Sequence, residues 1–226
     1  RIGVVYDPCT STLYEAFRGG GSDGILRNGK PWKPSTAPWI EDTTMGYGEA
    51  VGTETNQHDG SKVTQDEVTG KLVVLCDRSF YEQAVYKPCK EPLEQLAKKI
   101  GCTNGVLFMC LGGGVWHACY MLRKCSSTPM CYIKFPKKVD GGGSIWDFAA
   151  TAMLVEAAGG PCVARNMSHG APLHLNQAGS SYMNAQGILY ATSEGLADEV
   201  QAMYETLKVG YPEIYPTVPL AADSKL

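Results

Sequence analysis

Gly143-Ser-Ile-Trp-Asp147-Phe-Ala-Ala-Thr-Ala-Met-Leu-Val-Glu-Ala-Ala-Gly-Gly160 is the stretch that decides the fold. Its apolar centre predicts a helix over residues 145–158 that ends at the glycine pair. Asp147 then lies in the first turn, where the helix dipole stabilises a carboxylate and free backbone amides bind anions. Two interpretations stay open: Asp147 holds a divalent cation beside a phosphate, or Ser144-x-x-Asp147 is only a capping box.

The composition describes a globular chain without a broad attraction for polyanions. The chain has 226 residues, 44% of them hydrophobic, and a formal net charge of −3. A core can therefore form, and we expect no nucleic acid polymer and no membrane as partner. No apolar run approaches the length of about 18 residues that a membrane-spanning helix needs. The start at Arg1 resembles neither a signal peptide nor an initiator methionine, and we expect a chain that is cut at its N-terminus.

The cysteines point to a reducing environment. Nine are present, and none forms a Cys-x-x-Cys pair, which argues against a structural zinc site. Their number is odd and several lie in apolar runs, so buried free thiols are favoured over disulfides. We expect a cytoplasmic protein, or an organellar one if a missing N-terminus carries a transit peptide.

Outward from the Trp-Asp helix, the chain divides into three regions. Residues 1–70 are expected to form the end of an antiparallel sheet lobe, followed from about residue 33 by a long polar connection. Residues 71–210 are expected to form an α/β lobe, and residues 211–226 a loose tail. The patterns predict strands at 2–7, 12–17 and 71–76, and helices at 91–100, 103–111, 145–158 and from about 195.

The Trp146-Asp147-x-Ala-Ala pattern, followed by Glu156-Ala-Ala-Gly-Gly160, resembles the second signature of the inositol monophosphatase superfamily. That family contains lithium-sensitive, magnesium-dependent phosphatases of sugar, inositol and nucleotide phosphates. The resemblance implies an α/β fold of the layered αβαβα sugar-phosphatase type, here without its N-terminal part. It also implies that Asp147 is a ligand of Mg²⁺. Further blocks that resemble the family occur in the expected order, at residues 3–8, 13–16, 26–31 and 131–136.

The nearest resemblance is to the 3′(2′),5′-bisphosphate nucleotidases. It rests on Lys71-Leu-Val-Val-Leu-Cys-Asp-Arg78-Ser79 and on Tyr182-Met-Asn-Ala-Gln-Gly187. By this resemblance Arg78 and Ser79 contact a phosphate or nucleotide, and the alternative for them is a solvated turn. The positions of Thr103, Asn104 and Gly105 likewise imply contact with the substrate, and their alternative is the N-cap of a helix.

Some positions depart from the family pattern. Leu107 stands where the nucleotidases often have Lys, which weakens the nucleotide interpretation. His117 stands where Asp is common, and we interpret it as a structural substitution rather than a general base. Lys134, Lys137 and Lys138 are candidates for attracting an anionic substrate, although surface lysines usually only solvate a face.

The family's first metal motif is missing from the chain. Neither its upstream Glu nor Asp-Pro-x-Asp-Gly-Thr is present, and Asp7-Pro8 lacks the second Asp and the Gly, so we interpret Asp7 as a turn residue. A phosphatase that uses two metal ions cannot hold both with one carboxylate. We therefore assign no catalytic residue and expect this chain alone to be inactive, either as part of a longer enzyme or as a derivative that has lost activity.

The expected function is Mg²⁺-dependent hydrolysis of a small phosphorylated substrate, with 3′-phosphoadenosine 5′-phosphate converted to AMP. The alternatives are an inositol monophosphatase-type sugar phosphatase and a non-catalytic homologue that acts as a binding protein. An exposed edge of the N-terminal sheet favours pairing with another chain, for which a homodimer is the simplest form.

Overall fold

Two sheets and the helices around them make up the described chain. The structure is a computed structural model that describes residues 2–7, 11–18, 24–32, 54–55, 62–63, 65–82, 84–111, 113–124, 128–138, 143–158, 162–175 and 182–216. The strands are β1 (Ile2–Asp7), β2 (Thr12–Phe17), β3 (Gly24–Arg27), β4 (Lys30–Pro31), β5 (Glu54–Thr55), β6 (Lys62–Val63), β7 (Leu72–Leu75), β8 (Val106–Met109), β9 (Met130–Lys134), β10 (Val163–Arg165) and β11 (Ile188–Ala191). The helices are α1 (Gln65–Val68), α2 (Arg78–Glu82), α3 (Tyr86–Lys99), α4 (Gly114–Lys124), α5 (Ile145–Ala157) and α6 (Glu194–Gly210).

Strands β1 to β4 form an antiparallel meander in chain order. Along β1 and β2 buried residues alternate with more exposed ones, as expected for a sheet with one face on the core. Asn28 and Gly29 have φ of 51° and 73° and make the two-residue turn between β3 and β4. Asn28 Oδ1 also accepts a hydrogen bond from Leu13 N at 2.7 Å, which ties the turn to β2. The predicted meander is confirmed.

The second sheet has five strands in the order β10-β11-β9-β7-β8. Strand β7 runs parallel to both β8 and β9, whereas β11 is antiparallel to β9 and β10. All four residues of β7 are buried. Its Leu-Val-Val-Leu sequence lacks polar alternation because both faces of this central strand are covered.

The layers of the fold follow from the two faces of this sheet. Val73 and Leu75 face one apolar cluster, which lies between the two sheets and contains α4 and α5. Leu72 and Val74 face a second cluster, formed with α3 and α6 behind the sheet. Helix α5 packs on β1 and β2 as well as on α4 and β10. The predicted layered α/β fold is confirmed.

The predicted helix over residues 103–111 is wrong. Val106–Met109 form strand β8, which pairs with β7, and a helix begins only at Gly114. A short apolar run has no periodicity that separates a strand from a buried helix. Pairing with the free edge of β7 satisfies the backbone N–H and C=O groups of Val106–Met109, and this favours a strand over a helix.

The predicted helices at 91–100, 145–158 and from about 195 correspond to α3, α5 and α6. Helix α3 begins at Tyr86 rather than at Glu91, so Pro92 lies inside it and not in its first turn. The apolar face predicted for α6 is buried. None of the helices in the described ranges is long and apolar enough to cross a membrane.

The polar connection and the tail are described only in part. Within residues 33–70 the structure describes the β5–β6 pair and residues 65–70, and the rest lies outside the described residues. In the tail, residues 211–216 pack against the fold, with Tyr215 fully buried. Residues 211–216 thus differ from the expected loose tail because an aromatic side chain anchors them, and residues 217–226 lie outside the description.

The contact between β1 and α5 generates a test of this layering. Gly3→Ala is expected to lower the free energy of unfolding by about 1–3 kcal/mol, because overpacking at a rigid contact strains the neighbours. A Cβ atom at Gly3 would lie 2.8 Å from Met153 Cβ and 2.9 Å from the Ala150 carbonyl oxygen. Urea unfolding followed by circular dichroism measures the change. The matched control is Gly195→Ala in α6, where a Cβ would meet no atom within 4 Å, and equal effects of the two substitutions would contradict the prediction.

Candidate functional site

A cavity of about 360 Å³ lies where the C-terminal ends of three strands meet the N-terminal ends of two helices. The strands are β7, β8 and β9, and the helices are α4 and α5. In open α/β sheets, ligands bind outside the carboxyl ends of the strands. The lining residues of this cavity, called here the Asp147 cavity, are Asp77, Arg78, Cys110, Gly113, Gly114, Val115, Lys134, Gly143, Asp147 and Phe148.

Asp147 caps its own helix and also lines the cavity. Its Oδ2 accepts a hydrogen bond from Ser144 N at 2.8 Å, and its backbone N donates to the Ser144 carbonyl oxygen at 2.9 Å. The capping interpretation is therefore confirmed. The carboxylate is half-buried, and its Oδ1 makes no hydrogen bond to a described residue. One oxygen thus serves the cap and the other is available to a ligand in the cavity.

The ring of Phe148 forms a wall of the cavity, and two glycines make room for it. A Cβ atom at Gly114 or at Gly143 would lie 2.5 Å from a carbon of this ring. Gly143 also has a φ of 87°, which L side chains rarely adopt. These two glycines let helix α5 begin directly at the cavity.

Asp77 and Lys134 form an ion pair in the cavity wall, and sequence reasoning missed Asp77. Lys134 Nζ donates to Asp77 Oδ2, and Tyr132 OH donates to Asp77 Oδ1 at 3.0 Å. The two charged side chains are only 16% and 24% exposed. Burial raises the pKa of Asp77, but the Lys134 ammonium, helped by His117 and the Tyr132 hydroxyl, outweighs burial and holds this pKa below its ordinary value. The sequence did contain a signal for Asp77, namely a carboxylate that closely follows the apolar strand β7.

His117 lies behind this pair and does not line the cavity. Its Nε2 accepts a hydrogen bond from Leu111 N at 2.9 Å, so in the neutral ring the proton is on Nδ1. The ring is fully buried and stacks on Tyr132 at a centroid distance of 4.9 Å. Within the described part of the chain, Nδ1 has no hydrogen-bond partner. Burial lowers the pKa of His117 to about 4, so the ring is neutral near pH 7.

The structure brings some of the predicted substrate residues to this edge and not others. Arg78 lines the Asp147 cavity. Ser79 lines an adjoining cavity of about 250 Å³, called here the Lys137 cavity, which shares Asp77 and Lys134 with the first.

Residues 103–105 lie at the opposite end of the strands, beside the N-terminal end of β7. Asn104 N donates to the Gly70 carbonyl oxygen at 3.0 Å, and Leu72 N donates to the Gly105 carbonyl oxygen at 2.9 Å. These contacts place Thr103, Asn104 and Gly105 before the start of β7, roughly 15 Å along the strand from Asp77 at about 3.3 Å per residue. The alternative predicted for them, the N-cap of a helix, is wrong because a strand follows them.

The described residues do not form a magnesium site by themselves. No group of three or more His, Cys, Asp or Glu side chains that could hold a metal ion occurs among them. Asp147 offers one free oxygen, whereas both oxygens of Asp77 are engaged by Lys134 and Tyr132. Magnesium needs several oxygen ligands, so these residues supply at most part of its coordination.

Comparisons with known proteins found similar solved structures. No family model matches the chain, and no curated protein matches it. A hypothetical protein from Pyrococcus horikoshii with similarities to inositol-1 monophosphatase is 14% identical over 89% of the chain and 56% of its own, with a TM-score of 0.48. An inositol monophosphatase from Zymomonas mobilis is 13% identical over 90% of the chain and 57% of its own, with a TM-score of 0.48. Leishmania major fructose-1,6-bisphosphatase in the T-state is 14% identical over 87% of the chain and 51% of its own, with a TM-score of 0.44.

The chain spans little more than half the length of these proteins. Its structural neighbours are thus inositol monophosphatase-like proteins and a related phosphatase. A likeness at this level of identity concerns the arrangement of strands and helices, and it does not extend to substrate or activity.

The buried neutral state of His117 generates a prediction for stability against pH. Between pH 6.5 and about 4 the unfolded chain binds a proton at His117 that the folded protein does not bind. The free energy of unfolding therefore falls as the pH falls through this window, by on the order of 3 kcal/mol. In His117→Gln this contribution is expected to vanish, and unfolding in urea at several pH values measures it. The control is His169→Gln, whose exposed side chain is expected to leave the pH profile of the wild type unchanged; an unchanged profile in His117→Gln would refute the prediction.

Proposed function

We propose that the chain carries part of the active site of a magnesium-dependent phosphomonoesterase. Its substrate is a 3′(2′),5′-bisphosphate nucleotide, with 3′-phosphoadenosine 5′-phosphate hydrolysed to AMP. The observation that carries this proposal is the position of Asp147, Arg78 and Lys134 around one cavity at the start of α5. A carboxylate and two cations at a helix N-terminus suit a phosphate that arrives with a divalent cation.

The side chains of the cavity have separate roles in this proposal. Asp147 supplies one ligand of Mg²⁺, which when bound stabilises negative charge on phosphoryl oxygens. Arg78 binds the phosphate through its guanidinium fork. Lys134 adds a second cation whose position is held by Asp77. The first turn of α5 contributes Asp147 and Phe148 to the cavity lining, and the N-terminal end of a helix favours negative charge.

The choice of a bisphosphate nucleotide rests on the sequence resemblance, and the position of Arg78 supports it. Arg78 belongs to the block that resembles the nucleotidases, and it lies in the same cavity as Asp147. The guanidinium of Arg78 can bind one phosphate of such a substrate in a bidentate way. Inositol monophosphate, with one phosphate and an uncharged ring, is the substrate of the competing sugar-phosphatase interpretation.

A binding protein is the second candidate function. It is favoured by the lack, among the residues that the structure describes, of three or more metal-binding side chains in one place. Such a protein would hold the phosphate on Arg78, Lys134 and the start of α5 without hydrolysing it.

The state of the cysteines supports a cytoplasmic location for this function. The described cysteines are free and buried, at positions 76, 89, 102, 110, 119, 131 and 162. Burial raises the pKa of Cys89 and of Cys119 to about 12, so these thiols are protonated and unreactive near neutral pH. Free buried thiols are typical of proteins from reducing compartments.

The role of Asp147 is tested by the effect of Mg²⁺ on phosphate binding. In the wild type, Mg²⁺ is expected to tighten the binding of inorganic phosphate by about tenfold, because the two ligands attract each other in one cavity. In Asp147→Asn this effect is expected to disappear, and isothermal titration calorimetry with and without Mg²⁺ measures it. Asp198→Asn is the control, since it removes a carboxylate that pairs with Arg165 on the surface of α6. An unchanged effect of Mg²⁺ in Asp147→Asn would exclude this carboxylate as a ligand.

The same titration separates the candidate substrates. 3′-Phosphoadenosine 5′-phosphate is expected to displace inorganic phosphate at lower concentration than inositol 1-phosphate does. The release of phosphate from each compound is measured in parallel. Release of phosphate would identify an enzyme, whereas binding without release is expected both of a partial active site and of a binding protein.

A further inference from the structure

The Lys137 cavity is a second concave site that the proposed phosphate chemistry does not use. It lies beside the Asp147 cavity, on the side of the sheet that faces α3 and α6, and has a volume of about 250 Å³. Its walls come from four separate parts of the chain: the start of α2, Val85 before α3, the exit of β9 and the segment after α6. Such a meeting of distant segments around an open space is how ligand sites are usually built.

Hydrogen bonds hold the walls of this cavity in place. On one side, Tyr215 OH donates to the Val85 carbonyl oxygen, and Tyr204 OH donates to the Pro216 carbonyl oxygen at 3.3 Å. On the other side, the Lys137 backbone N donates to the Asn184 carbonyl oxygen at 2.7 Å, and Asn184 Nδ2 donates to the Lys137 carbonyl oxygen at 3.2 Å. The cavity is therefore preformed, and a ligand would not have to order its walls.

The lining of the cavity is mostly apolar. Seven of its thirteen lining residues have apolar side chains, namely Phe80, Val85, Ile133, Phe135, Pro136, Ile214 and Pro216. The rings of Phe80 and Phe135 are stacked, with centroids 6.1 Å apart and planes 20° apart. Apolar surface that faces a water-filled space gains free energy when an apolar group covers it. Both rings are only 6% exposed and back the wall from behind, so the apolar surface open to a ligand lies mainly on the half-buried Val85 and Ile214.

The charged residues of the cavity favour an anion. Lys137 and Lys138 line it, half-buried and exposed respectively, and Ser79 belongs to the same lining. Lys134 already neutralises the buried Asp77. The remaining carboxylate, Glu213, is exposed to solvent, where water screens its charge. Two lysines beside an apolar wall thus form an amphipathic site.

We propose that the Lys137 cavity binds a small organic anion that carries an aromatic ring. The ring covers the apolar wall at Val85 and Ile214, and the anionic group contacts Lys137 and Lys138. As a site for a separate molecule it is independent of the phosphatase function proposed above, whereas a ligand that spans both cavities rests on that function. Its ligand is either a separate small molecule or the ring-bearing part of the molecule whose phosphate occupies the Asp147 cavity, and both supply the same chemistry.

The first test compares ligands on the unmodified protein, so that no variant has to fold. The probes are phenylphosphonate, methylphosphonate and inorganic phosphate, which share a phosphorus-centred anion and differ in the ring. Phenylphosphonate is expected to bind about tenfold more tightly than the other two, because only it covers the apolar wall. Isothermal titration calorimetry measures the affinities, and equal affinities of the three probes would overturn the proposal.

The second test locates the bound probe. The double substitution Lys137→Gln and Lys138→Gln is expected to weaken phenylphosphonate binding by about tenfold, since charge-assisted contacts are lost. The matched control is Lys87→Gln with Lys90→Gln, which removes two exposed charges from the surface of α3 and is expected to change the affinity little. Equal losses in the two double variants would show a general charge effect and overturn the proposal.

Asp147→Asn distinguishes the two sources of the ligand. A change of affinity in the Lys137 and Lys138 variant alone identifies a separate molecule in the Lys137 cavity. A change in that variant and in Asp147→Asn identifies one molecule that spans both cavities. A change in Asp147→Asn alone places the probe outside the Lys137 cavity and contradicts the proposal. None of these outcomes depends on Mg²⁺, so a failure here is distinct from a failure of the proposed phosphatase function.

Discussion

The burial of helix α5 between two sheets is the constraint on which the site depends. The helix touches β1 and β2 on one side and β10 on another, and nearly all of its side chains after Asp147 are buried or half-buried. Close approach requires glycine at Gly3 on one side and at Gly114 and Gly143 around Phe148. Because the helix is held along its length, the position of its first turn, and with it the Asp147 carboxylate, is fixed relative to the sheet.

The ionisable groups in and behind the cavity wall are an ion pair and one neutral histidine. Lys134 and Asp77 are poorly exposed and neutralise each other, and taking both from water costs free energy that a purely apolar pair would not incur. His117 behind them is kept neutral by its burial. If His117 were protonated, its positive charge would compete with Lys134 for Asp77. We interpret the pair as a means of holding an ammonium group at the cavity, since stability alone is a weak reason for a buried ion pair.

Local patterns predicted those elements whose sequence has one clear period or a strong turn signal. The meander at residues 2–31, the strand at 71–76 and the helices around Asp147 and after Gly195 belong to this group. Strand β8 does not, because Val106–Met109 is too short and too uniformly apolar to show a period. That error also produced the N-cap alternative for residues 103–105, since a strand and not a helix follows them. The predicted position of Asp147 in the first turn of a helix was correct, because a capping pattern depends only on residues close in sequence.

What the sequence alone determined is local: a carboxylate in the first turn of a helix between glycines, and a resemblance carried by the residues around it. The partners of that carboxylate were decided by tertiary structure. Lys134 meets Asp77 across 57 positions of the chain, because β7 and β9 are parallel neighbours and their carboxyl ends meet at one edge. The same geometry brings Arg78 to this edge and leaves residues 103–105 at the other. Strand order is set by which faces can be buried together, and that is a property of the whole chain rather than of any segment.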